Sequence, residues 1–282
     1  MSVFQTVKGA ILVSRIPNLL IIGLAQFLSA RMLLRLNLIE SIGLPFILLT
    51  IGTMLVAAGG YVINDYYDAK IDMVNRPERV VVGRTLSRRK ALALHISLSS
   101  LAILLGFIVS WKLAVINVAA VSVLWYYSNH LRRFFIGKLV IAVLTAGGIL
   151  LVGFLYGVDS YHLMAFAAFG SAIVWIRELI KDMENVRGES AFGVESVTKV
   201  WGIQGTKIFI GTIAAAGTFL LTYFIIKINS ELTLYYYLSL IPVLIVFVVF
   251  LVKADRPTRF KRLRHLTNFL ILAGLLSMLF VK

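Results

Sequence analysis

Asn64, Asp65, Asp68 and Asp72 are the residues of this 282-residue chain best suited to chemistry. At about 100° of turn per residue, Asn64, Asp68, Asp72 and Asp65 fall near 0° and about 40°, 80° and 100° around a helix. Three carboxylates and a carboxamide therefore share one face. Carboxylates that close raise one another's pKa values and require a counter-charge. An oxygen-only ligand set favours a hard cation, Mg2+ above all where phosphate oxygens complete its shell. A lone acid here would read as a solvated helix end. Four such groups in one arc, closing the apolar run from Leu44 to Ile63, do not.

A second set lies about 115 residues later, in Arg177-Glu178-Leu179-Ile180-Lys181-Asp182-Met183-Glu184-Asn185-Val186-Arg187-Gly188-Glu189. Glu178, Asp182, Asn185 and Glu189 share an arc of about 60°. Glu184 points elsewhere and is expected to be solvated, while Lys181 and Arg187 flank the arc and neutralise it. Taken alone, this stretch also reads as an amphipathic helix end of mixed charge, and Gly188 is placed to end the helix before Glu189. Paired with the first set it reads differently. Two carboxylate clusters facing across a cavity suit two Mg2+ ions with a diphosphate between them, the metals neutralising charge on a departing oxygen. Arg76, Arg79, Arg84 and Arg132 are placed to add bidentate contacts to that anion.

The elements that must hold these groups are membrane helices. The chain is 60% hydrophobic and 15% charged, with mean hydropathy +0.91, where soluble domains are nearer half apolar and a quarter charged. Apolar stretches recur from Leu19 to Phe280, predicting an all-α membrane protein with nine spans. The expected spans are 16–34, 42–68, 88–110, 113–130, 137–156, 160–185, 200–227, 233–253 and 263–281. The fourth is the weakest, because Asn117 interrupts it. Met1 to Arg15 lacks the compact apolar core and small-residue site of a cleavable signal. With no cysteine, disulfides and thiolate sites are excluded.

The net charge of +15 has a topological origin rather than a nucleic-acid one. Across nine spans, 23 of the 28 basic residues fall on the side holding the N-terminus and the loops after even-numbered helices. That asymmetry makes the N-terminus and those loops cytoplasmic, in a multi-pass protein of the cell (inner) membrane. Ten of the thirteen acids share that side although the orientation rule does not require it. Both long cytoplasmic loops, 69–87 and 186–199, follow an acidic helix end. The whole chain, 1–282, reads as one domain with two related halves, roughly 1–130 and 131–282. The tract Arg256 to Arg264 reads as a lipid-headgroup anchor, and Gly59-Gly60 and Gly147-Gly148 suit close helix packing. The four histidines lack ligand spacing.

These motifs resemble the UbiA-type intramembrane prenyltransferases. The N-D-x-x-D-x-x-x-D motif of that family is matched by Asn64, Asp65, Asp68 and Asp72. Its N-R-P-x-R element matches Asn75-Arg76-Pro77-Glu78-Arg79, and a later G-R matches Gly83-Arg84. The second motif is met by Asp182, Asn185 and Glu189, with Glu where Asp is usual. The link between helices four and five is similar in Tyr127-Ser128, Arg132-Arg133 and Gly137-Lys138, with Lys138 where Asn is common. The resemblance implies helices around a central cavity open sideways to lipid, and Mg2+-dependent transfer of a prenyl group from a prenyl diphosphate. On that basis Asp65, Asp68, Asp182 and Lys181 are the candidate catalytic side chains. Asn64, Asp68, Asp72, Asp182, Asn185 and Glu189 are the candidate metal ligands, and Arg76, Arg79, Arg84, Arg132 and Lys138 the candidate diphosphate contacts. Tyr66, Tyr67, Trp125, Tyr126 and Tyr127 are candidates to shield an allylic cation, or else belong to the interfacial aromatic belt.

The stretch Arg177 to Glu184 is most similar to the digeranylgeranylglyceryl phosphate synthase branch, which attaches a second geranylgeranyl chain to geranylgeranylglyceryl phosphate in ether-lipid synthesis. The implied partners are a prenyl diphosphate donor, that lipid acceptor and membrane lipid, with no nucleic acid. Two rivals remain: prenylation of an aromatic acceptor of the hydroxybenzoate or dihydroxynaphthoate type, and a transporter. A transporter would place ionisable groups at mid-membrane; here the acids gather at one end.

Overall fold

The longest acidic helices of this protein end at a backbone break, Arg76 before Pro77 and the region before Gly193, not where polarity begins. The computed structural model describes residues 3–134, 136–228 and 231–281. Helix α1 (Val3–Ser14) stops at Arg15, whose φ of 52° is left-handed, and Pro17 in the first turn starts α2 (Ile16–Leu28). A π-helical turn, Ser29–Leu33, closes that span. The short α3 (Leu38–Ser41) carries a capping box: Glu40 N–H donates to Asn37 Oδ1 at 2.9 Å and Asn37 N–H to Glu40 Oε2 at 3.1 Å. Helix α4 (Leu44–Asn75) follows, then α5 (Arg88–Val109), α6 (Trp111–Asn129), α7 (Gly137–Tyr156) and α8 (Tyr161–Ala191). Helices α9 (Val197–Ile228), α10 (Glu231–Lys253) and α11 (Pro257–Leu276) complete the described chain. Helix α9 is kinked at Gly202, φ 71°.

The 32 residues of α4 and 31 of α8 span about 46–48 Å, against ~30 Å of hydrocarbon. About three turns of each therefore stand beyond the apolar layer. The expected ends at 68 and 185 fall short for this reason. Asp, Lys and Tyr are compatible with a helix, so α4 runs on until Arg76, where the following proline forces non-helical backbone (φ −153°, ψ 66°). Helix α8 likewise passes its acidic stretch and ends before Gly193, φ 70°. The loop expected from 69 thus begins at 76. It is a folded one: Val82 and Leu86 are buried with Val13, Val62 and Ala91 beneath α1.

Among the described residues, eight helical segments are long and apolar enough to cross a membrane, where nine were expected. The segment that falls short is α6, which carries Lys112, Asn117 and the polar run Tyr126 to Asn129. Asn117 is nonetheless buried and satisfied, donating to the Ala102 carbonyl at 2.8 Å. Phe107, Ile108, Phe219 and Val252 are among many exposed large apolar side chains, the apolar surface of a helix bundle that meets lipid.

Helices α4 and α8 are the hubs. Helix α4 packs on α1, α2, α5, α6, α7 and α8, and α8 on α4, α7, α9 and α11. One apolar core gathers Ile176, Leu179, Ile180 and Met183 of α8 with residues of α9, α10 and α11. The close packing expected at Gly59-Gly60 is present. A Cβ at Gly59 would lie 3.1 Å from Ser99 Oγ, and one at Gly60 2.9 Å from Leu124 Cδ1. Gly147-Gly148 is different: both face the internal cavity, and Gly148 offers its carbonyl to Gln26 Nε2 at 2.8 Å. His95 also serves packing, with Nδ1 2.9 Å from the Gly59 carbonyl oxygen. Gly59→Val should therefore lower stability by about 1–3 kcal/mol, read as a drop in the thermal midpoint in detergent. An unchanged midpoint would show that α4 and α5 do not depend on this contact.

Candidate active site

The acidic ends of α4 and α8 meet around the segment that joins α6 to α7. Asn64 Nδ2 donates to Asp68 Oδ2 at 2.8 Å, one helical turn on, and the other oxygen of Asp68 pairs with Arg132. Asp182 is fully buried (0% exposed), with Oδ1 2.7 Å from Lys138 Nζ. Arg132 and Lys138, six residues apart in one connection, thus neutralise acids on two different helices. The turn between them is tight, since a Cβ on Gly137 would fall 2.1 Å from the Leu131 carbonyl oxygen.

The remaining sequence-predicted residues are placed as follows. Asp65 pairs with Arg15 at 2.5 Å, and the Arg15 guanidinium lies 5.0 Å over the Tyr61 ring. Asp72 lies in the field of Lys181, Asp65, Arg15 and Arg76. Lys181 pairs with Glu178 at 3.6 Å and feels Lys138, Arg15 and Arg132. The charged faces of α4 and α8 therefore form one cluster. Arg76 reaches across to α8, donating to Asn185 Oδ1 at 3.0 Å and pairing with Glu184 at 2.6 Å. Arg84 donates to the Pro77 carbonyl at 2.6 Å and closes its own loop. The side chains of Arg79 and Glu189 lie outside the described residues.

Three expectations are corrected here. Glu184 is not solvated: its side chain is 6% exposed and is gripped by Arg76 and by Arg264 Nε at 2.8 Å. Helical phase put it off the acid arc, but phase alone does not reveal that α11 packs against that side. Arg264 is correspondingly an internal partner rather than part of a headgroup anchor. Of the five aromatic residues expected near the cation, only Tyr127 lines the cavity; Trp125 and Tyr126 are exposed, and Tyr66 sits under Arg88 at 4.2 Å.

That cavity holds about 760 Å3, within the range of small-molecule sites. Every long helix except α5 contributes to its wall. Its lining on α8 runs from Phe166 to Lys181, about 22 Å along the axis. The charged groups on the wall, Arg15, Arg177, Glu178 and Lys181, sit towards the acidic helix ends, and the rest of the lining is dominated by aliphatic and aromatic side chains. Sequence reasoning missed Arg15, Gln26 and Asn268 as cavity residues. A basic residue just before a proline-started apolar helix was a usable signal for Arg15. Gln26, one polar residue in an apolar run, donates to Thr53 Oγ1 at 3.1 Å as well as to Gly148.

The donor set at the rim is amide and carboxylate oxygen only, which suits a hard cation. Among the described residues no three His, Asp or Glu side chains converge on one point. A cation here would have few protein ligands and open positions for phosphate oxygens and water, the coordination Mg2+ favours. Arg132 and Lys138 stand where such counter-charge is needed.

A membrane helix bundle with an acid-rimmed apolar cavity narrows the comparison with known proteins, and the UbiA prenyltransferase family matches residues 23–273. This chain belongs to the UbiA prenyltransferase family. It is an integral multi-pass membrane protein and an enzyme of that family's kind. It is 33% identical over 204 residues to digeranylgeranylglyceryl phosphate synthase of Thermococcus sibiricus, covering 71% of each chain. The UbiA fold is shared with a solved structure of digeranylgeranylglyceryl phosphate synthase in membranes, at TM-score 0.71 and 21% identity over 98% of each chain. A UbiA homologue from Archaeoglobus fulgidus, solved with GPP and Mg2+, superposes at TM-score 0.64 with 12% identity, covering 97% of this chain and 98% of that one.

Lys138→Met should leave Asp182 buried without its counter-charge and cost about 3–5 kcal/mol. Adding Asp182→Leu should restore most of that stability. Thermal unfolding of the two variants in detergent checks this, and a double variant as unstable as the single would exclude a mutual dependence.

Proposed function

We propose that this UbiA-family protein transfers a geranylgeranyl group from geranylgeranyl diphosphate to the free hydroxyl of geranylgeranylglyceryl phosphate. The observation that carries this is the pairing of two acidic helix ends, neutralised from one connecting segment, at the rim of a deep apolar cavity. The names of the relatives, digeranylgeranylglyceryl phosphate synthases, support the acceptor class.

Asn64, Asp68 and Asp72 on α4, with Asp182, Asn185 and Glu189 on α8, are the residues that would hold Mg2+, whose charge would stabilise the diphosphate oxygens. Asp65 orients the rim through Arg15. Arg132 and Lys138, already against the acids, donate to the leaving diphosphate. Arg76, Arg79 and Arg84 on the adjoining loop complete the anion's surroundings. Lys181 adds positive charge at the cavity mouth. The allylic C–O bond breaks with its electron pair passing to the diphosphate. The acceptor oxygen forms the new C–O bond, and its proton passes to a diphosphate oxygen. The apolar wall keeps water from the cationic carbon, with Tyr61 and Tyr127 nearest the rim among the lining aromatics.

In this reading α6 is the ninth crossing of a central-cavity bundle, and the two halves, about 1–130 and 131–282, are related units of one domain. The N-terminus and the rim face the cytoplasm across the cell membrane, supported by the basic-residue asymmetry. A transporter is disfavoured because the charges on the cavity wall gather at one end.

Asp68→Asn and Asp182→Asn should each lower transfer by about 10²–10³-fold while helical content, measured by circular dichroism, stays native. Near-native turnover in either would remove the acid from the mechanism. Chelation should abolish transfer of labelled geranylgeranyl to geranylgeranylglyceryl phosphate, and Mg2+ should restore it. Faster transfer to a hydroxybenzoate or dihydroxynaphthoate than to the phosphate lipid would overturn the acceptor assignment.

A further inference from the structure

Arg177 has no part in the rim chemistry above, yet it is a charge inside a membrane span, Tyr161–Val186, one turn deeper than Lys181. It lies five residues before Asp182, about 7.5 Å deeper along α8 and about 140° around it. It therefore looks to a different wall. Nε donates to Asn268 Oδ1 of α11 at 2.8 Å, and Nη1 to Glu178 Oε1 at 2.9 Å. Those contacts use two of the five N–H groups of a guanidinium. A charge at that depth is costly unless it serves a ligand or a partner; Glu178 is shared with Lys181, and Asn268, itself on the cavity wall, is neutral.

Charge balance points the same way. The charged residues on the cavity wall are Arg15, Arg177, Lys181 and Glu178; with Arg15 held by Asp65, Arg177 and Lys181 against Glu178 leave a net +1. Arg177 and Lys181, one turn apart, share a helix face and both engage Glu178, which fixes them as a pair. A phosphate monoester carries about −1.5 to −2, and planar Arg donors match its oxygens.

Resting on the proposed transfer reaction, we infer that Arg177, positioned by Asn268 and Glu178, binds the phosphate of the acceptor lipid. The acceptor hydroxyl must reach the allylic carbon, which lies on the membrane side of the donor diphosphate. The phosphate, a short glycerol backbone away, is carried to the same depth. Arg177 stands about 7.5 Å deeper along α8 than Asp182 and about 140° around it, so the two anions occupy separate sites.

The test uses the full chain in detergent and measures thermal stabilisation by three probes: geranylgeranylglyceryl phosphate, its dephosphorylated alcohol and inorganic phosphate. The native protein should be stabilised by the phosphate lipid and much less by the alcohol or inorganic phosphate. Arg177→Gln should weaken binding of the phosphate lipid at least tenfold and leave binding of the alcohol and of geranylgeranyl diphosphate unchanged. Arg177→Lys and Asn268→Ala should fall between, and they serve if the Gln variant does not fold. Equal weakening for phosphate lipid and alcohol, or no weakening at all, overturns the subsite. So does Arg177-dependent protection by inorganic phosphate alone, which would make the site one for free phosphate. In turnover, Arg177→Gln should raise the acceptor KM at least tenfold with donor KM unchanged, and a raised donor KM overturns the assignment. A native chain that binds the phosphate lipid through Arg177 but transfers nothing to it would keep the subsite and refute the reaction.

Discussion

A carboxylate buried at the edge of a bilayer must be neutralised, and this protein buries such groups on each of two helices. Asp68 and Asp182 are almost wholly out of solvent, a state that costs several kcal/mol per ion unless a partner is in place. Both partners come from the short connection between α6 and α7. That requirement explains the tight turn at Gly137 and the depth to which the connection is drawn in. It also explains how α4 and α8, each the hub of its own set of helices, are held in register at the rim. Arg76 repeats the device from α4 to α8 through Asn185 and Glu184, and Arg264 extends it to α11.

Much of this was legible from residue types and spacing. The acid arcs of α4 and α8, their position at helix ends and the membrane class all follow from periodicity and hydropathy, because those properties are local. The helix bounds were less legible. Hydropathy marks where the bilayer ends, whereas α4 stops only where Arg76-Pro77 breaks the backbone. The α6 span was weak for the reason that makes it distinctive: Asn117 and its polar C-terminal run are accommodated by packing against α5 and by the cavity. What stayed hidden was pairing between distant segments. Nothing local in Glu184 announces Arg264 eighty residues on. Arg132 and Lys138 read as candidate diphosphate contacts, and only the fold sets them against particular acids. Arg15 was masked by the orientation rule, which predicts a basic residue there whatever else it does.

The division of the cavity into a charged rim and an apolar body sets what reaction can occur there. A leaving group that carries negative charge needs cations and ordered donors, which membranes do not supply and the helix ends do. A carbocation-like centre needs the reverse, a dry apolar wall within a few ångströms. Placing the acids two to three turns before the ends of over-long helices meets both demands, because the same helix supplies rim and wall. Val56, Ala57 and Gly60 of α4 line the cavity below Asn64, and Phe169, Ile173 and Ile176 of α8 do so below Arg177. Shortening either helix to the bilayer thickness would expose the acids to water, and moving the acids inward would require further counter-charge at depth, as Arg177 and Lys181 supply to Glu178. Helix length is therefore a functional quantity in this fold. It fixes the depth at which a bound diphosphate ends and a hydrocarbon chain begins.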